Sequence, residues 1–122
     1  MFEITTESSF SAAHHLLNYK GPCENVHGHN WRVLVTARCE ELNDIGIGID
    51  FSILKAKLRE VLGQLDHQDL NVVFDTQKTN PSSENIARHI FLQLKQHLRD
   101  EACSVYRVEV FETPGNSAAY LE

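Results

Sequence analysis

From His27 to Cys39 the odd positions read His27, His29, Trp31, Val33, Val35, Ala37 and Cys39, while Asn30, Arg32, Thr36 and Arg38 occupy even ones. Successive side chains on an extended chain point to opposite faces, so this alternation specifies a long strand with one buried face. The same periodicity marks residues 2–14, where Phe2, Ile4, Phe10, Ala12 and His14 take the even positions. Two strands are therefore expected, each bringing histidine to one end of its inward face.

Helical spacing follows. Asp50 suits an N-cap for a helix with the apolar stripe Leu54, Leu58, Val61, Leu62 and Leu65. Asp66 to Asn71 reads as the loop leaving it. Asn80-Pro81 is expected to open a second helix with proline at its first position, followed by the stripe Ala87, Ile90, Phe91, Leu94 and Leu98. Tyr106, Val108 and Val110 then alternate as a strand whose inward face Glu112 continues. Thr113-Pro114-Gly115-Asn116 is a turn before a short strand near Ala118 to Leu121. The order β-β-α-α-β-β predicts an α+β domain spanning residues 1–122, an antiparallel sheet with two helices on one face. The exposed edges of so small a sheet invite pairing with other subunits.

Composition narrows the function. The chain has 122 residues, 42% hydrophobic and 23% charged, and a formal charge of −6. An acidic balance argues against nucleic acid as partner, since phosphate backbones need a basic face. No apolar run reaches membrane-spanning length, and the first residues lack the pattern of a signal peptide. Three cysteines, Cys23, Cys39 and Cys103, form no paired framework. A soluble cytoplasmic protein is expected.

The chemistry concentrates in Phe10-Ser11-Ala12-Ala13-His14 and Cys23-Glu24-Asn25-Val26-His27-Gly28-His29. His27 and His29 project from one face of a strand, and same-face imidazoles on an apolar surface are costly unless used. With His14 they make three neutral donors for a divalent metal, leaving a fourth position open. His15 points the other way and is the weaker ligand. Cys23 closes the site as a fourth ligand or stands beside it as a base, and Glu24 reaches the same pocket. Asp66-His67 is either a plain helix C-terminal loop or a carboxylate that orients an imidazole for proton transfer. Glu112 is either an edge residue facing solvent or a partly buried carboxylate, which a flat heterocycle presenting an amino group and a ring N–H would satisfy. His89 and His97, on the second helix, read as surface or core groups.

Phe-Ser-Ala-Ala-His (10–14), Cys-Glu-Asn-Val-His-Gly-His (23–29), Ile-Asp-Phe (49–51), Leu-Asp-His (65–67), Asn-Pro-Ser-Ser-Glu-Asn (80–85) and Phe-Glu-Thr (111–113) occur in order over nearly the whole chain. The set resembles the 6-pyruvoyltetrahydropterin synthase family, and most nearly its bacterial 6-carboxytetrahydropterin synthase branch of the queuosine pathway. The resemblance implies a tunnelling fold, with sheets joined across subunits into a barrel and trimers stacked into a homohexamer. It implies Zn2+ on His14, His27 and His29, Cys23 as a catalytic base rather than a fourth ligand, and Asp66 and His67 reaching a neighbouring subunit's site. Glu112 matches the pterin anchor, with further pterin contacts from Thr113 and Ser83.

The implied substrate is 7,8-dihydroneopterin triphosphate. The implied products are 6-carboxytetrahydropterin, acetaldehyde and triphosphate. Glu24 directly after Cys23 is a departure: it resembles a dual-motif group serving folate synthesis as well, through 6-hydroxymethyldihydropterin. Pyruvoyl synthase activity is a third alternative. The rival from another class is a zinc-stabilised binding module without turnover, which predicts a closed site including Cys23.

Overall fold

The computed structural model describes residues 1–18, 20–21, 25–75 and 79–122. Four strands, β1 (Phe2–His14), β2 (His27–Cys39), β3 (Ser104–Thr113) and β4 (Asn116–Leu121), form one antiparallel sheet in the order β1-β2-β3-β4. Between β2 and β3 run α1 (Phe51–Gly63), the single-turn α2 (Leu70–Val73) and α3 (Ser83–His97). The helix α1 packs over β1, α3 packs over β3 and β4, and the two helices touch each other.

The odd face of β2 is the floor of the core: Trp31, Val33, Val35 and Ala37 are fully buried. Leu54, Leu58, Val61 and Leu62 of α1, and Ile86, Ala87, Ile90, Phe91 and Leu94 of α3, cover it. Each such side chain removed from water contributes about 1.5–3 kcal/mol. Leu65 is equally buried although it lies just beyond α1. Asp50 caps α1 as expected, its carboxylate accepting from Ser52 N at 2.7 Å. The even face of β1 is buried only from its middle onward, at Thr6, Phe10, Ala12 and His14, while Phe2 is exposed.

Four local expectations need correction. Pro81 is not the first residue of the second helix. Ser82 is the N-cap, its hydroxyl accepting from Asn85 N at 3.2 Å, so Pro81 lies outside the helix and its carbonyl is free for another donor. The segment after Asp66 is not all loop, because Asp69 caps α2 by accepting from Asn71 N at 3.0 Å. Tyr106 does not share the face of Val108 and Val110. Thr36 pairs with Arg107 but Ala37 pairs with Val105, leaving Tyr106 as the extra residue of a bulge. Its ring meets the Arg38 guanidinium, 3.2 Å from ring centroid to carbon. Finally, Thr113 and Asn116 belong to the strands, and Pro114-Gly115 alone makes the turn.

Candidate functional site

Strand register builds the site. His14, the last residue of β1, pairs directly with His27, the first of β2, and His29 pairs with Ala12. All three imidazoles therefore emerge on the helix-covered face at one end of the sheet. Their ring centroids lie 4.5 Å (His14 and His27), 4.7 Å (His27 and His29) and 5.5 Å (His14 and His29) apart. Trp31 walls the group from beneath, its ring 4.9 Å from that of His14 and its indole N–H donating to Ala12 O at 3.2 Å.

The tautomers are set from outside. His14 Nδ1 donates to Pro81 O at 2.7 Å, and His27 Nδ1 donates to Asn25 O at 2.6 Å. A carbonyl oxygen has no proton to give, so Nδ1 carries the hydrogen and Nε2 keeps its lone pair. Nε2 of His14 is buried without a hydrogen-bond partner among the described residues, and Nε2 of His29, also buried, meets the Glu112 carboxylate. Burial is the largest influence on His29 and holds its pKa below the ordinary histidine value, against the opposing pull of the Glu112 carboxylate. Three imidazoles with Nε2 turned inward, two of them anchored at Nδ1 by carbonyls, are what a divalent metal requires, and the residues fit one.

Glu112 completes the group. It lies beyond the last β2–β3 pair and on the face of Val108 and Val110. Its Oε1 is 2.7 Å from His29 Nε2 and 3.6 Å from Nε2 of both His14 and His27. The donor atoms of the four residues all lie within 4.8 Å of one another. Ser83, at the start of α3, donates from Oγ to Glu112 Oε2 at 3.2 Å. Ser83 thus joins the group through Glu112. Thr113 does not: the next residue along a strand faces the other side, where its hydroxyl accepts from Asn116 Nδ2 at 3.2 Å.

Asp66 and His67 sit elsewhere. Asp66 Oδ1 accepts from Ser11 N at 2.9 Å, and His67 N donates back to Ser11 O at 2.6 Å, which docks the loop on the outer edge of β1. The Ser11 amide, and then His67, hold the Asp66 carboxyl below the usual range. His67 Nδ1 lies 3.0 Å from Asp66 Oδ1, so the orienting pair exists. The His67 side chain is 82% exposed and makes no described contact with the histidine group. Its φ of 59° is a left-handed backbone conformation that only a docked loop would hold in a residue with a side chain.

Cys23 and Glu24 lie outside the described residues. Cys39 and Cys103 are free and buried side by side, and burial pushes the Cys103 thiol up to about 12, so neither is a ready nucleophile. Two asparagines have a role that their sequence context did not show. Asn71 accepts from His15 N at 2.9 Å and donates to His15 O at 3.0 Å; Asn80 does the same for Leu17 N and O, both at 3.0 Å. Each side-chain amide imitates a strand partner and steers the chain as it leaves His14. Asn80 and Asn71 follow a loop and a cap, where asparagine reads as turn chemistry, so only their pairing across the fold reveals this role.

Comparison with known proteins agrees with this geometry. The family model described as 6-pyruvoyl tetrahydropterin synthase matches residues 3–122. A protein of Synechocystis sp. named 6-carboxy-5,6,7,8-tetrahydropterin synthase is 36% identical, over 99% of this chain and 94% of its own. The human 6-pyruvoyl tetrahydrobiopterin synthase is 31% identical over 97% of this chain and 90% of its own. The Caenorhabditis elegans 6-pyruvoyl tetrahydropterin synthase structure superposes with a TM-score of 0.83 at 34% identity, covering 100% of this chain and 97% of that one. The Plasmodium vivax 6-pyruvoyltetrahydropterin synthase, 29% identical with a TM-score of 0.75 over 99% of this chain and 97% of that one, has been solved with a catalytic glutamate changed to alanine. With the fold, the histidine group and full-length likeness in agreement, the chain belongs to the 6-pyruvoyl tetrahydropterin synthase family and is a pterin lyase.

Proposed function

We propose that the protein is a zinc-dependent 6-carboxy-5,6,7,8-tetrahydropterin synthase of the queuosine pathway, working in the cytoplasm. It would convert 7,8-dihydroneopterin triphosphate and one water to 6-carboxytetrahydropterin, acetaldehyde and triphosphate. The observation that carries this reading is the convergence of three Nε2 atoms beside a carboxylate, together with bacterial relatives that bear that name.

His14, His27 and His29 would hold the metal, with Pro81 O and Asn25 O keeping the first two rings in the ligating tautomer. Bound there, zinc supplies Lewis acidity to the hydroxyls of the substrate side chain. Glu112, held by Ser83, accepts the ring N–H and the amino group of the pterin, with Thr113 lending a further contact from the end of its strand. Cys23 removes a proton from the side chain, and His67, oriented by Asp66, returns one on the opposite side. Loss of the proton releases the triphosphate and sets up cleavage of the carbon–carbon bond that frees acetaldehyde.

An oligomer supports this division of labour. β4, and β1 before the loop docked at Ser11, lie at the outer edges of the sheet, and His67 projects outward from the β1 edge. The active unit is read as a homohexamer whose barrel of shared sheets brings His67 to a neighbour's metal site.

A second reading rests on Glu24. A catalytic glutamate serves the Plasmodium vivax relative in this same fold, and Glu24 stands next to Cys23. On that reading the enzyme also makes 6-hydroxymethyl-7,8-dihydropterin for folate synthesis. Incubation of the zinc-loaded protein with dihydroneopterin triphosphate, with products identified by mass spectrometry, tests both. The first reading predicts 6-carboxytetrahydropterin with an equivalent of acetaldehyde. Formation of 6-pyruvoyltetrahydropterin alone would overturn it.

A further inference from the structure

The substrate proposed above carries a triphosphate, yet His14, His27, His29, Glu112 and Ser83 bring no cation to it. A polyphosphate needs positive charge or a row of donors. Such a place exists around the β1 edge, where residues of β1 lie between α1 on one side and Arg32 of β2 on the other. Glu7, Ser8, Ser9, Arg32, Lys55 and Arg59 line a groove of about 350 Å³. Ser8, Ser9 and Arg59 also line an adjoining hollow of about 200 Å³ that reaches Asp66. Groove and Asp66–His67 pair therefore share one edge of the subunit.

Lys55 and Arg59 are four residues apart on α1, so both side chains leave the same side of the helix. In a chain of net charge −6, neither has an ion-pair or hydrogen-bond partner among the described residues, whereas Arg38, Lys95 and Arg107 each hold a carboxylate. Arg32 is only loosely paired, 3.7 Å from Glu7, and rests over the Phe111 ring. Three guanidinium or ammonium groups thus line the main groove with two serines and one opposing acid. Ser9 precedes His14 by five residues along β1, about 17 Å at strand rise. That distance is too long for one substrate to join the groove and the metal centre of the same copy.

We propose that this groove binds the triphosphate of a substrate whose pterin is held at the metal centre of a neighbouring copy, with Lys55 and Arg59 as the principal contacts and Arg32, Ser8 and Ser9 beside them. The assignment rests on the proposed substrate and on an active site shared between subunits. It adds specificity: unphosphorylated dihydroneopterin would lack this hold.

Calorimetric titration of the intact oligomer with inorganic tripolyphosphate tests the groove without turnover. Wild type binds, and Lys55→Ala/Arg59→Ala weakens binding at least about tenfold, the loss expected for charge-assisted contacts to phosphate. Lys57→Ala, on the same helix but outside the groove, leaves binding within about twofold, as expected of a charge that makes no direct contact. In turnover the double variant raises KM for dihydroneopterin triphosphate far more than it lowers kcat, with an unchanged melting temperature.

Wild type that fails to bind tripolyphosphate overturns the proposal, as does equal weakening by Lys57→Ala. If binding follows Lys55 and Arg59 but no pterin product forms, the groove stands as a polyphosphate site and the assigned reaction falls. A pterin product with binding indifferent to both residues does the reverse.

Discussion

At the scale of single residues, Glu112 carries the most testable claim about substrate recognition. It is held by Ser83 and faces three imidazoles. Glu112→Gln keeps the shape but removes the charge and one acceptor, leaving a ligand N–H unpaired. Pterin affinity should fall by about 2–3 kcal/mol, the worth of a charge-assisted bond in a partly dry site. Equilibrium binding of a pterin analogue measures it, and unchanged binding with a large drop in melting temperature would make the residue structural.

Cys23 and Glu24 divide a second claim. A free cysteine with a pKa near ~8.5 must be acidified before it acts as a base at neutral pH, whereas a carboxylate is already ionised. Cys23→Ala should abolish 6-carboxytetrahydropterin while sparing any hydroxymethyl product, and Glu24→Ala should do the reverse. Product profiles unaffected by Glu24→Ala would leave it a loop acid.

His89 gives a pH signature away from the metal. Burial lowers its pKa below the ordinary 6.5, and its ring packs 4.8 Å from Phe74. The unfolded chain therefore takes up this proton more readily than the folded one. Stability contributed by the neutral ring is present above pH 6.5 and is lost as pH falls below it. The melting temperature of the metal-free protein should fall less steeply below that pH in His89→Gln than in wild type. Parallel curves would assign the acid sensitivity to other groups.

At the scale of elements, the boundary before α3 links fold to site. Ser82 caps the helix and Pro81, just outside it, gives its carbonyl to His14 Nδ1. Ser82→Ala should cost about 1 kcal/mol of stability, the usual worth of a cap, readable in urea denaturation. A metal affinity that falls with it would show that the helix start also positions His14.

The same boundary shows what could be read beforehand. Pro81 and Ser82 are both good helix openers by local rule; Ser82 takes the cap, which leaves the Pro81 carbonyl to a histidine 67 residues away. The long strands were legible because period-2 alternation persists over many residues. The bulge that turns Tyr106 outward was not, since counting by twos assumes an unbroken ladder. For the site, His14, His27 and His29 followed from face and spacing alone, while the inward direction of Glu112 followed from β3. Asn71 and Asn80 stayed hidden because their partners, the backbones of His15 and Leu17, are distant in sequence and carry no side-chain signal.

At the scale of the whole molecule, one subunit brings the metal donors and Glu112 together but sends His67 outward. Family membership was legible from ordered motifs, whereas the division of a site between copies is a property of an assembly and not of any segment. If the site is shared, mixing dissociated Cys23→Ala and His67→Ala subunits should restore part of the activity, because some interfaces then pair two intact halves. No recovery in verified mixed oligomers would mean that each copy works alone.

The central claim is an open metal centre of three imidazoles with Cys23 beside it rather than on it. X-ray absorption at the zinc edge of the substrate-free holoenzyme addresses it directly. The account predicts nitrogen and oxygen neighbours at about 2.0–2.1 Å and no sulfur. A zinc–sulfur distance of about 2.3 Å, lost in Cys23→Ala, would contradict it and make the site a closed structural one.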